Sequence, residues 1–169
     1  LLFPLLDKAA IEARLDRVEA LVKDEAVTAM AGGLLERISD LERLAGKAAA
    51  GRINPRELLQ MHHAFEAAHE MRNALRDAGG VLAEVAAAID PPMPLSARIA
   101  ATIEPDTPAN PTKGGVVRPG VNTELDELRH LNAHAKELLL DVQRRESERS
   151  GISSLKVGFN NVFGYYLEV

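Results

Sequence analysis

The sequence predicts a mainly α-helical protein whose several helices are followed by one long C-terminal helix and a terminal β-hairpin. Apolar residues recur every three or four positions through most of the chain up to residue 149, which is the pattern of amphipathic helices. The last nineteen residues, GISSLKVGFNNVFGYYLEV, change to a β-forming composition and hold four of the six aromatic residues. These two observations indicate helices first and a hairpin last.

Two helices are expected before residue 51. Asp7 precedes the first helical pattern, and its carboxylate can accept hydrogen bonds from the backbone N–H groups of the first turn. A second helix is expected from Asp24 to Ala49, ending at Gly51. The pair Gly32-Gly33 weakens it, because glycine costs about 1 kcal/mol in a helix interior.

The third helix has the strongest local start signal, the motif NPRE at residues 54–57. Its Asn can cap the helix, its Pro suits the first helical position, and its Glu can reach back to the cap. This helix should run to Ala78 and end at Gly79-Gly80. Two shorter helices are expected over Val81 to Ile89 and Leu95 to Ile103.

An irregular segment from Glu104 to Val121 separates these helices from the last one. Its four prolines and three glycines exclude a regular helix, and a short extended piece is expected at Val116-Val117. Asn122 then caps a helix from Thr123 to Arg149, which at 1.5 Å per residue spans roughly 40 Å.

The terminal hairpin is expected to turn at Asn160-Asn161, which lie between two β-forming runs. Asparagine tolerates the positive φ angles that a tight hairpin turn requires. Cross-strand packing explains the aromatic residues of this segment better than a base-stacking platform does, because such platforms lie in basic grooves. The hairpin offers only Lys156 against Glu168.

Composition limits the classes of protein to which the chain can belong. Apolar residues make up 46% of the chain and charged residues 27%, as in folded soluble proteins, and no apolar stretch approaches the length of a membrane span. The absence of cysteine excludes disulfides and thiolate metal sites and suits a cytoplasmic protein. A net charge of −5 gives no general attraction to nucleic acid.

Few residues are candidates for chemistry. The phosphate-binding pattern G-x-x-x-x-G-K-[ST] does not occur, so we expect no catalytic residue and no nucleotide site here. His130 and His134 could share one helix face and bind a metal, but ordinary surface histidines are the favoured interpretation, and no metal site is predicted. Lys156, Asn160 and Asn161 are the candidates for contact with a DNA backbone.

Several motifs in a fixed order resemble the MutS family of DNA mismatch-repair ATPases. The most specific is LKVGFNNVFGYYLEV at 155–169, in which Gly158, Asn160, Gly164 and Tyr165 are taken as the structural motif. The others are PLLDKAAIEARLDRVEAL at 4–21, ISDLERL at 38–44, NPREL at 54–58, GGVVRPGVN at 114–122 and ELDELR at 124–129.

The resemblance implies that the chain is a piece of a longer protein. Residues 1–149 would form the helical core/lever domain, and residues 150–169 the start of the clamp domain. In the family, the lever connects an ATPase, which uses ATP and Mg²⁺, to a clamp that closes over mismatched double-stranded DNA. The resemblance also implies a homodimer and a MutL-type repair partner. The alternative is a free-standing helical scaffold or adaptor for protein partners, without a DNA role.

Overall fold

The computed structural model describes residues 4–108 and 110–169, and it confirms the predicted fold class. The described residues form seven α-helices, one 3₁₀ turn at Pro111–Lys113 and a two-stranded hairpin. The elements are α1 (Lys8–Lys23), α2 (Glu25–Arg37), α3 (Leu41–Ala49), α4 (Pro55–Ala78), α5 (Gly80–Ala87), α6 (Met93–Thr102), α7 (Thr123–Ser150), β1 (Lys156–Asn160) and β2 (Gly164–Glu168). The chain divides into two compact units, 1–118 and 119–169.

The first helix begins where the sequence predicts. The Asp7 carboxylate accepts a hydrogen bond of 2.8 Å from the Ala10 N–H, and α1 then continues to Lys23. Asp24 ends α1 and caps α2 by accepting the Val27 N–H at 3.0 Å. One aspartate therefore separates two helices with no longer loop between them.

The single helix expected from Asp24 to Ala49 is wrong, because the chain forms two helices over this range. Ile38 is extended after α2, and the Asp40 carboxylate accepts the Arg43 N–H at 2.9 Å to start α3. The Gly32-Gly33 pair lies inside α2 without interrupting it. The apolar periodicity runs across both helices, so it conceals a boundary that a capping aspartate creates.

Helix α4 starts with the predicted capping box. The Asn54 side chain accepts the Glu57 N–H at 2.9 Å, and Glu57 accepts the Asn54 N–H at 3.1 Å. Lys47 of α3 also donates to the Glu57 carboxylate. The helix ends before Gly79, whose φ of 74° few other residues adopt, so both predicted ends of α4 are confirmed.

Helix α4 forms the centre of the first unit, where α2, α3, α5 and α6 contact it. Residues of α4 take part in all three clusters of buried side chains within the described residues. The first cluster joins α2, α4 and α5; the second joins α3 and α4; the third joins α4 to α6 and Ile103. Their members are Leu34, Ala67, Met71, Leu75, Leu82 and Ala86; Leu44, Met61 and Phe65; and Leu59, Ile99 and Ile103.

A buried polar group also joins α4 to α6. Ser96 is fully buried; its hydroxyl donates to the Glu66 carboxylate at 2.7 Å and lies 2.7 Å from Nδ1 of His62. The hydroxyl stands between the other two groups, so this arrangement satisfies a buried polar atom. In a serine nucleophile activated by histidine, the imidazole lies between the serine and the carboxylate. Here the serine lies between the histidine and the carboxylate, so the three residues do not form such a triad.

Arginine side chains that donate to backbone carbonyls tie the irregular segment to the helices. Nε of Arg56 in α4 donates to the Thr107 carbonyl at 2.9 Å, and Nε of Arg118 donates to the Ile103 carbonyl at 3.0 Å. Val117 pairs with Ile103 in an isolated antiparallel bridge, where a short extended piece is expected. Among residues 4–108 and 110–169, no helix is long and apolar enough to cross a membrane.

The Glu57 carboxylate should make stability depend on pH. Its hydrogen bond from Lys47, and after that the one from the Asn54 N–H, hold the pKa of Glu57 below its ordinary value of 4.5. A lowered folded-state pKa stabilises the fold at neutral pH, and the contribution is lost as pH falls from 4.5 through the folded value. Melting temperatures between pH 7 and pH 3 should therefore fall less steeply for Glu57→Gln than for the wild type. Glu42→Gln, an exposed change on α3, is the control and should follow the wild type; a Glu57→Gln curve parallel to the wild type would refute the assignment.

Candidate functional site at the long helix and its terminal hairpin

Helix α7 is long and continuous. Asn122 accepts the Leu125 N–H at 2.9 Å, which confirms the predicted cap. The helix extends over 28 residues to Ser150 and ends at Gly151, which has a φ of 71°. At 1.5 Å per residue its length is about 42 Å. The last helical turns carry arginines, of which Arg144 and Arg149 pair with Asp141 and Glu146 at 3.3 and 2.8 Å.

No residue of α7 is buried. Several of its apolar side chains instead form an exposed stripe, which consists of Leu128, Leu131 and Leu138 with exposed fractions of 57%, 65% and 65%. A shallow apolar concavity of about 320 Å³ lies along this stripe and reaches the hairpin at Tyr165. Leu140, which is 64% exposed, adds further apolar surface to this helix.

The hairpin forms, but its turn differs from the prediction. Strands β1 and β2 pair antiparallel in a register that joins Lys156 to Glu168 and Asn160 to Gly164, with a loop of residues 161–163 between them. Positive φ occurs at Gly164, at 74°, and at no non-glycine residue in the described part of the chain. The expectation that the two asparagines supply positive φ is therefore wrong.

Asn160 stabilises the turn in another way. Its side-chain oxygen accepts the N–H groups of Val162 at 3.0 Å and Phe163 at 2.7 Å. An asparagine that binds the backbone N–H two residues ahead makes an Asx-turn, which imitates a backbone turn. Its side-chain oxygen is thus engaged within the protein.

The other residues of the structural motif have identifiable packing roles. A Cβ added to Gly158 would lie 2.6 Å from the ring of Tyr166, so the missing side chain leaves room for that ring. On the opposite face, the rings of Phe159 and Tyr165 are 4.9 Å apart and tilted by 55°, within the usual range of aromatic pairs. These contacts agree with cross-strand packing for Phe159, Tyr165 and Tyr166, whereas Phe163 lies in the loop and is 81% exposed.

The structure does not gather the three candidate DNA-contacting residues into one patch. Lys156 is the first residue of β1 and Asn160 the last, which places them about 13 Å apart at 3.3 Å per residue. Asn161 lies in the exposed loop. Their contact with DNA stays a prediction.

Two histidines of α7 form a stacked pair. The rings of His130 and His134 stack with centroids 3.9 Å apart, and Nδ1 of His134 lies 2.9 Å from the His130 carbonyl oxygen. The described residues contain no group of three or more His, Asp or Glu side chains that could hold a metal ion.

Sequence reasoning missed one residue at the junction of helix and hairpin. The side-chain oxygen of Gln143 in α7 accepts the Val157 N–H of β1 at 3.2 Å. The two residues are fourteen positions apart, and no motif or periodicity links them. Only the return of the chain after Gly151 brings them together.

Comparison with known proteins decides the family. The family model described as MutS domain III matches residues 1–156. Three similar relatives bear the name DNA mismatch repair protein MutS. They come from Cytophaga hutchinsonii, 44% identical over 100% of this chain, Phocaeicola vulgatus, 42% over 99%, and Thermus thermophilus, 40% over 98%.

The chain belongs to the MutS family. It spans about a fifth of the length of these relatives, which is 20% for the Cytophaga protein and 19% for the other two. The resemblance of the hairpin and helix motifs to this family is thereby confirmed. The division of this MutS-family chain at residues 149 and 150 into core/lever and clamp parts stays a prediction.

Two Gly→Ala substitutions should have opposite effects. At Gly164 the positive φ penalises an L side chain by roughly 1 kcal/mol, so Gly164→Ala should accelerate amide exchange in β1 and β2. Gly33 lies inside α2, and a Cβ added there would meet no atom within 4 Å. Gly33→Ala should therefore stabilise that helix by up to about 1 kcal/mol. Hydrogen exchange resolved by residue measures both effects. Equal effects of the two changes on their own elements would contradict this account.

The exposed stripe of α7 should accept charge. Replacing both Leu131 and Leu138 with Glu should change stability by no more than about 0.5 kcal/mol and should raise solubility, because the change removes exposed apolar surface. As the control, Leu44→Ala empties a fully buried site of α3 and should cost about 2–5 kcal/mol. Urea unfolding compares the variants. A loss of several kcal/mol in the double variant would show that the stripe is buried in solution.

Proposed function

We propose that this chain is the lever part of a MutS-type protein and carries movement between an ATPase and a clamp on mismatched duplex DNA. The observation that supports this role most is the continuity of α7, whose 28 residues contain no break and are followed, after residues 151–155, by the hairpin. An uninterrupted hydrogen-bonded helix converts a small rotation at one end into a large displacement about 42 Å away.

The ATPase belongs to the longer protein in this proposal. The chain itself lacks the phosphate-binding pattern, so ATP and Mg²⁺ would bind elsewhere and this part would carry no catalytic residue. In this proposal the longer protein forms a homodimer, binds a MutL-type repair partner and works in the cytoplasm.

Contact with DNA through this chain alone would be weak. The net charge is −5, and the arginines Arg144 and Arg149 near the end of α7 are paired with carboxylates. Lys156 lies at the opposite end of β1 from Asn160 and Asn161, and the three residues would add at most a few contacts with phosphates. Strong binding of mismatched DNA would therefore depend on the rest of the protein.

The role of α7 can be tested in a chimera that carries this chain in place of the corresponding segment of the Thermus thermophilus relative. Glu137 lies at the middle of α7 and is exposed. Glu137→Pro should break the helix, since proline costs about 3 kcal/mol in a helix interior, and should abolish the response of the DNA complex to ATP. The measurement is the ATP-induced change in the dissociation rate of mismatched duplex.

The matched control is Glu137→Ala, which keeps the helix and should respond to ATP as the parent chimera does. Nucleotide hydrolysis without DNA should survive in both variants, because no part of the proposed ATPase lies in this chain. If the Glu137→Pro chimera still responds fully to ATP, the lever proposal fails.

A further inference from the structure

One side-chain hydrogen bond joins α7 directly to the first strand of the hairpin. The Gln143 side-chain oxygen accepts the Val157 N–H at 3.2 Å. Both residues are partly buried, and they are separated along the chain by the end of α7, the Gly151 turn and the segment 152–155. The contact therefore links the helix to the first strand independently of the connecting backbone.

The Val157 N–H lies on the outer edge of the hairpin. Neighbouring residues of an antiparallel strand point their N–H groups alternately toward and away from the partner strand. The Val157 N–H, which donates to Gln143, therefore points away from β2 and makes no hydrogen bond to it. The ring contact of 4.9 Å between Phe159 and Tyr165 agrees with this register, because side chains approach more closely in non-hydrogen-bonded pairs.

Gln143 thus occupies a position that the carbonyl group of another strand or a water molecule would otherwise take. An open strand edge leaves its N–H groups free to pair with other chains. Here Gln143 of the helix supplies the acceptor. Gln143 also lines a concavity of about 290 Å³, together with Leu139 and Leu140 of the helix and Phe159 of the hairpin.

Two further features restrain the connecting segment. The Ser147 hydroxyl donates to the Ile152 carbonyl at 2.7 Å, and Leu155 is buried, with 8% of its surface exposed. Both hold the backbone that leads into β1. Neither provides a directional contact to the strand itself, so its orientation depends on Gln143 and on apolar packing, which is non-directional.

We propose that Gln143 is a positioning residue that fixes the hairpin on the end of α7, so that helix and hairpin move as one body. This inference rests on the proposed lever function, in which movement of α7 must reach the hairpin. Without the Gln143 acceptor, the hairpin would pivot about residues 151–155 and the displacement would be lost at the junction.

The test compares Gln143→Met, which keeps the length of the side chain but removes the acceptor, with Gln143→Glu, which retains one. Amide exchange in the 169-residue chain is followed by NMR. In Gln143→Met the Val157 amide should exchange about fivefold faster or more, the factor expected from the net strength of one hydrogen bond, while Gln143→Glu should stay near the wild type.

Orientation provides a second measurement. Residual dipolar couplings of α7 and of the hairpin should fit one alignment tensor in the wild type and in Gln143→Glu, and should need two tensors in Gln143→Met. Glu148→Met, an exposed change on the same helix, is the control and should behave as the wild type. A single tensor and an unchanged Val157 exchange rate in Gln143→Met would overturn the proposal.

Loss of the hairpin itself in Gln143→Met, seen as loss of the cross-strand contacts between β1 and β2, would also overturn it, since the residue would then support folding and not orientation. These measurements use neither nucleotide nor DNA. If they fail while the Glu137→Pro chimera loses its response to ATP, the lever function stands and only the role of Gln143 falls. If they succeed while that chimera responds fully, the junction is rigid and the lever function falls.

Discussion

Burial along α4 is the constraint on which the first unit depends. Seven residues of this helix are buried, and each of the three clusters of buried side chains contains some of them. The surrounding helices are short, with 8 residues in α5 and 9 in α3, and such helices are marginal in water by themselves. They are stable because each covers part of α4. The capping box and the Lys47–Glu57 ion pair fix the start of that central helix.

Helix α7 is organised in the opposite way. None of its 28 residues is buried, so its stability comes from its backbone hydrogen bonds, its caps and local pairs such as Asp126 with Arg129. A helix held in this manner keeps its axis without many contacts to the rest of its unit. That property suits the proposed lever, because an element that must move cannot also be locked into a core. Because no residue of α7 is buried, its apolar stripe is also exposed.

A few residues stabilise the hairpin, and each of them meets a different physical requirement. Gly158 leaves space for the Tyr166 ring, Gly164 supplies the positive φ, and Asn160 satisfies two N–H groups of the loop. Gln143 satisfies an N–H that the two-stranded sheet leaves open. The first three shape the hairpin, whereas Gln143 links the hairpin to the helix, and this proposed positioning residue lies outside the family motif.

Elements whose signals are local could be predicted from the amino-acid sequence. The cap at Asp7, the capping box at residues 54–57 and the cap at Asn122 could be predicted because each concerns residues three positions apart. The boundary at Asp40 was concealed by continuous apolar periodicity, and the positive φ at Gly164 by the more obvious Asn pair. The contact of Gln143 with Val157 and the position of Ser96 between His62 and Glu66 arise only in the folded chain. They depend on how distant segments meet, which is set by the packing of helices and the return of the chain, and no spacing along the sequence encodes it.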